Sequence, residues 1–172
     1  TQTTAATGAT TFGNTVSVGS ADLKGTTFAV NNTFGAAGNI GITNTGTVTV
    51  ADSADVTATG GSFTASGNVN LSANVTTTGG NDLTISGNLV LADNETVTLG
   101  TGATGGDVLI SGTTDGTDSS NTNTETLVVD AGTGTVTFAG VVGSAGAETL
   151  EAVTLTNSGA LGFNNTVNLA GA

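Results

Sequence analysis

Cysteine, histidine, proline, methionine, tryptophan and tyrosine are absent from these 172 residues, and Lys24 is the only lysine or arginine. Each absence removes some chemistry. Without thiol or imidazole there is no Cys or His nucleophile, no His general base, and no usual ligand set for zinc, haem or an iron–sulfur cluster. One basic side chain cannot neutralise a run of phosphates, so composition argues against nucleic-acid binding. The same shortage argues against a polybasic membrane contact. Long hydrophobic runs are missing too. The longest, such as Val108-Leu109-Ile110, reach three or four residues, so no membrane insertion is expected. No basic stretch followed by an apolar one marks a signal peptide, and without an initiator Met the chain reads as a processed product or a segment of something longer.

What is present is acidic and small. Asp and Glu total 13, giving a net charge of −12, and the chain holds 38 Thr, 28 Gly and 17 Asn. Such bias could belong to a low-complexity tail. Against that, the apolar share is 36%, mean hydropathy is +0.21, and the apolar residues are patterned. The expectation is a folded, all-β chain. Its acidity, its scarcity of tryptic sites and its Thr, Asn and Gly content suit an exported bacterial protein, extracellular or on the cell surface.

The pattern is a recurring pair of apolar residues two apart, the period of a strand. It occurs at Val16/Val18, Phe28/Val30, Ile40/Ile42, Val48/Val50, Val69/Leu71, Leu83/Ile85, Leu89/Leu91, Val97/Leu99, Val108/Ile110, Leu127/Val129, Val136/Phe138, Val153/Leu155, Leu161/Phe163 and Val167/Leu169. Val56, Phe63 and Val75 hold similar slots singly, and Gly, Asn or Asp follows nearly every pair. From Ile40 to Leu99 the slots fall at 40, 48, 56, then 63, 69, 75, then 83, 89, 97, so each group of three is shifted by about 20 to 23 residues. This spacing predicts a right-handed parallel β-solenoid with three short strands per rung. A β-sandwich is the alternative, with longer strands and turn signals every 8 to 12 residues or so. One solenoid domain over residues 15–172 is expected, with loops near 112–125 and 139–149. Residues 1–14 are expected as an N-terminal arm or an incomplete strand.

From Asn74 onward the chain carries NVTTTGGNDLTISGNLVLADNETVTLGTG, LVVDAGTGTVTFAGVVGSAG and ETLEAVTLTNSGALGFNNTVNLAG. These phrases resemble the β-helix repeats of giant bacterial surface proteins, the filamentous-haemagglutinin-like and autotransporter-adhesin passengers. The run from Gly134 to Gly143, followed by Leu-x-x-Val-Thr-Leu, is typical of them. The resemblance covers rather more than half of the chain. It implies a right-handed β-helix, exported, with a structural or adhesive role.

Candidate sites are few. Gly79-Gly80-Asn81-Asp82 and Gly105-Gly106-Asp107 look like fragments of a calcium-binding nonapeptide repeat, but the tandem that would share an ion between turns is missing. Asp115, Asp118 and Glu125 add oxygen donors in the 112–125 loop. Weak calcium binding is therefore assigned to Asp82, Asp107, Asp115, Asp118 and Glu125, with Asp and Asn capping their own turns as the simpler role. No other cofactor is expected. Asp52/Asp55 and Glu148/Glu151 are carboxylate pairs that a glycosidase could use, yet the Arg, His and Tyr that accompany them in such sites are absent, so no catalysis is expected. Thr-x-Thr at Thr47, Thr96, Thr135 and Thr154 would suit ice binding only if ranked on one flat face.

The functional expectation is a non-catalytic structural subunit of an extracellular fibre, stalk or surface layer. Uncapped rungs leave unpaired strand edges. The expected partner is therefore a second copy, joined end to end or by strand donation through Thr1, Thr3, Thr4, Val167 and Leu169. An adhesin passenger that binds a glycan or a surface is the alternative.

Overall fold

A computed structural model describes residues 6–117, 124–144 and 149–170. The chain lays down β1 (Ala6–Phe12), β2 (Val16–Val18), β3 (Ala21–Val30), β4 (Phe34–Ala36), β5 (Ile40–Asn44) and β6 (Thr47–Val50). It continues with β7 (Val56–Ala58), β8 (Phe63–Ala65), β9 (Asn68–Leu71), β10 (Val75–Thr77), β11 (Leu83–Ile85) and β12 (Leu89–Leu91). After these come β13 (Thr96–Gly100), β14 (Val108–Ile110), β15 (Thr114–Gly116), β16 (Thr126–Asp130), β17 (Thr135–Phe138), β18 (Ala152–Asn157) and β19 (Ala160–Phe163). The described residues contain no helix.

Every ladder is parallel, and each strand pairs with the strand one rung away. The first face is a seven-stranded sheet in the order β18-β16-β13-β10-β7-β4-β2. The other two faces are joined through β3. Its first half, Ala21–Gly25, pairs with β5 and starts the second face, which runs through β8, β11, β14 and β17 to β19. Its second half pairs with β6 through Phe28, Ala29 and Val30, opening a third face that runs through β9 and β12 to β15. The result is a parallel β-solenoid of about 7 turns.

The ladders follow the rung spacing read from the sequence from Ile40 to Leu89, but on the first face Val75 pairs with Leu99 rather than with Val97. Ile40, Phe63, Leu83 and Val108 stack in one line on the second face. Val48, Val69 and Leu89 do so on the third, and Val56, Val75 and Leu99 on the first. Alternate residues point inward, and Leu71, Leu83, Ile85, Leu89, Leu91 and Leu99 are all fully buried. Each such side chain contributes about 1.5–3 kcal/mol on leaving water. The outward Thr, Ser and Asn residues are β-compatible and tolerate solvent.

The corners are held by side-chain ladders parallel to the backbone ones. Asp82 Oδ1 accepts from Asp107 N at 2.9 Å, and Asp107 Oδ1 accepts from Thr135 N at 2.7 Å. Asn68 Oδ1 accepts from Asn88 N and Asn88 Oδ1 from Thr113 N, both at 3.0 Å. Asp55 and Asn74 repeat the arrangement toward Asn74 N and Thr98 N. Asn44, only 4% exposed, holds a corner from inside. Its Nδ2 donates to Gly46 O at 2.7 Å, and its Oδ1 accepts from Gly67 N at 2.9 Å.

The two stretches expected as loops, 112–125 and 139–149, lie partly outside the described residues, and their described parts contribute to the ladders. The interval 112–125, expected as a loop, contains β15, and Thr114, Asp115 and Gly116 are all buried. Its polar residues have no apolar slots to reveal a strand, but the backbone pairs with β12, and Asp115 Oδ1 accepts from Ser144 N at 2.6 Å. In the interval 139–149, Val142 is fully buried and bridges Thr114 to Val167, so the third face passes through this stretch as well. At the N-terminus, β1 pairs in parallel with β3 from Ala6 to Phe12 and underlies the third face.

Candidate functional site

Asp82, Asp107 and Asp115 lie on the strands and corners of the wall and are engaged in structure. Asp82 and Asp107 stand one above the other at a corner of the second face, each capping a backbone N–H of the next rung. Asp115 lies on the third face with one oxygen taken by Ser144 N. Glu125 is fully buried, and its carboxylate fills the space a side chain at Gly116 would need: a Cβ there would lie 2.8 Å from Glu125 Oε2. Asp118 lies outside the described residues, as does Glu148 of the paired carboxylates. Among the described residues, Asp82 and Asp107 are the calcium candidates joined by a hydrogen bond on adjacent rungs. Among the described residues no three carboxylates converge in a way that could hold a metal ion.

Other wall features are equally dispersed. Asp52 and Asp55 border a shallow cleft with Glu95, and Asp55 Oδ1 accepts from both nitrogens of Asn74 at 3.1 Å. The Thr-x-Thr pairs are spread over three faces: Thr47/Thr49 on the third, Thr135/Thr137 on the second, and Thr96/Thr98 and Thr154/Thr156 on the first. Between the two pairs on the first face lies β16, which sets Val128 between Thr98 and Thr154. No ranked threonine plane results. Lys24 lies 3.8 Å from Asp22, both about half exposed, a pair of small energetic weight.

The ends are different in kind. Among the described residues the exposed large hydrophobics are Val18 at 37%, Leu161 at 44%, Phe163 at 38% and Val167 at 38%. All four lie on end rungs and none on the wall. Each is an inward-facing slot on a strand or bridge that pairs on one side only among the described residues. Leu161 continues the line of Val136, and Phe163 stacks on Phe138 at 5.1 Å and 15°, with its other ring face uncovered. Val167 bridges Val142, and Leu169 bridges Leu150 and is partly buried. Thr1, Thr3 and Thr4, the remaining assembly candidates, lie outside the described residues.

Charge is sparse toward the ends, where Asp22 and Lys24 on the near edge pair with each other. Every ionisable side chain falls between Asp22 and Glu151, so residues 1–21 and 152–172 contain none. The sequence shows this, but reading each apolar pair as one more strand hides it. Backbone edges accompany the apolar ones. Among the described residues, β18, β19 and the Val167–Leu169 stretch at the far end each pair on one side only, and β2, most of the first half of β3 and β1 do the same at the near end. Among the described residues each end therefore sets one-sided strands beside exposed apolar side chains, the combination that templates strand addition.

Compared with models of protein families, with curated proteins and with solved structures, the chain matches none.

Proposed function

We propose that the chain is a non-catalytic structural unit of an extracellular bacterial fibre, stalk or surface layer, built by addition of copies at the ends of the solenoid. One observation carries this reading: large apolar side chains are exposed on the end rungs and nowhere else among the described residues. A wall of Thr, Asn and Asp with shallow polar clefts suits a surface that stays in water, while ends of Leu, Phe and Val beside open edges suit contact. The location outside the cell is supported by composition and by the likeness to surface-protein β-helix repeats.

The mechanism is mechanical. Ladder bonds run along the axis from rung to rung, and aliphatic stacks inside keep them in register. Lengthening the stack extends both without a new kind of contact.

The test is assembly of the purified chain followed by sedimentation and electron microscopy over a range of concentrations. Filaments that lengthen with concentration are expected. A Leu161→Asp, Phe163→Asp double variant should stay monomeric while keeping the β-sheet circular dichroism of the parent, because both side chains sit on the outermost rung. A parent that is monomeric at every concentration, or a variant that assembles as the parent does, would sink the proposal.

A further inference from the structure

Given end-to-end addition, the polarity and register of the joint are also fixed by the structure. We infer that a second copy seats head to tail, its first rung on the last rung of the copy below, with Ala21 over Leu161, Asp22 over Gly162 and Leu23 over Phe163. This rests on the assembly reading above and specifies its partner surface.

The register follows from unbroken lines of paired residues. On the second face Ala21, Ile40, Phe63, Leu83, Val108, Val136 and Leu161 form one line. Leu23, Ile42, Ala65, Ile85, Ile110, Phe138 and Phe163 form the next inward line. A copy placed above continues both, setting partly buried Leu23 on the uncovered ring face of Phe163. On the first face the line from Val16 through Phe34, Val56, Val75, Leu99 and Val129 ends at Leu155, so Val16 follows Leu155. On the third face Thr10 pairs with Phe28, and the line ends at Val142 and Val167, so Thr10 follows Val167.

Three independent faces therefore meet in step. The described structure opens on the third face with β1 and closes on the same face at Val167 and Leu169, so the added copy supplies one strand to each face and fills none twice. The polarity is fixed as well. All ladders are parallel, and only a head-to-tail copy presents parallel strands to all three edges; a tail-to-tail copy would present antiparallel ones. Electrostatics favours the same joint. The last rung carries no ionisable side chain from Ala152 onward, and the first ionisable residues it meets are Asp22 and Lys24, which pair with each other. A lateral contact would instead bring together walls that carry exposed acidic side chains such as Asp52, Asp55, Asp82 and Asp107, with no basic side chain but Lys24 in the chain.

Because the chain has no cysteine, introduced pairs report the joint directly. Asp22→Cys with Gly162→Cys places two outward thiols on adjacent rungs, about 4.8 Å apart between Cα atoms, within disulfide range. Within one chain the two positions are about six rung spacings or roughly 30 Å apart, so any bond between them joins two chains. A Cβ at Gly162 meets nothing closer than 3.9 Å, and Asp22 is half exposed, so both substitutions should fold; unfolding midpoints under reducing conditions check this. The offset pair Lys24→Cys with Gly162→Cys would place its Cα atoms about 8 Å apart, too far for the bond.

On mild oxidation the in-register pair should give a ladder of covalent multimers, at least about tenfold faster than the offset pair, and each single variant should give dimers at most. Filaments that form while the two pairs crosslink equally fast would overturn the register. Rapid dimerisation of Gly162→Cys alone would overturn the polarity. In either case the assembly reading would stand. A parent chain that never assembles removes both.

Discussion

Gly67, Gly87, Gly112 and Gly140 stand one above another at the corner between the second and third faces. A Cβ on Gly87 would lie 2.3 Å from the carbonyl carbon of Gly67, and one on Gly112 would lie 2.5 Å from that of Gly87. The obstacle is backbone, so no rotamer change relieves it. Gly87→Ala is expected to destabilise the fold by about 1–3 kcal/mol in urea unfolding, as overpacking does. Gly41→Ala is the contrast: its nearest neighbour would be Thr64 Oγ1 at 3.6 Å, an ordinary contact. Removing a glycine there should be neutral or stabilising by up to about 1 kcal/mol, by reducing the freedom of the unfolded chain. Equal losses at both positions would show that the corner stack is not what constrains Gly87. The column was open to view as Ser66-Gly67, Ser86-Gly87, Ser111-Gly112 and Ala139-Gly140. Treating every glycine as a turn former conceals it, because turn propensity does not distinguish a bend from a close approach of two backbones.

At the scale of strands, legibility followed the inward side chains. Where alternate positions are Val, Ile, Leu or Phe, as in β9, β11 and β14, period-2 reading locates the strand and its rung. Where they are Thr and Gly, as in β15, nothing in the sequence marks it, since the strand is held by backbone pairing to β12 and by the cap from Asp115. The corner ladders raise a related question about charge. Asp107 Oδ1 accepts from Thr135 N, a role an amide oxygen can also fill. Asp107→Asn should leave the thermal midpoint nearly unchanged, while Asp107→Ala should lose about 0.5–1.5 kcal/mol with the cap. If Asn is as damaging as Ala, the negative charge itself matters, and a bound cation at Asp82 and Asp107 becomes the better account of that corner.

For the whole molecule, charge divides the surface into wall and ends. With a pI near 4.1, wall repulsion vanishes close to pH 4 and is large at neutral pH. Filaments should remain separate at pH 7 in low salt and gather side by side near pH 4, read as turbidity and as bundles in micrographs. Bundling that is as strong at pH 7 as at pH 4 would mean the wall charge is not what keeps filaments apart. The end surfaces themselves were only partly foreseen. Val167 and Leu169 were marked from the sequence, whereas Leu161 and Phe163 look there like any other inward pair. Burial depends on the neighbouring rung, and no residue carries in its own identity what stacks on it.

The rung length has a further consequence under load. Phe63, Leu83 and Val108 are consecutive on one line, so a turn stores 20 to 25 residues in a single step along the axis. Pulled out straight, that much chain spans about 7–9 nm, against roughly 0.5 nm while coiled. A tether made of such turns would yield in discrete increments, one rung at a time from a free end, paying out slack many times its own folded length before any covalent bond came under strain.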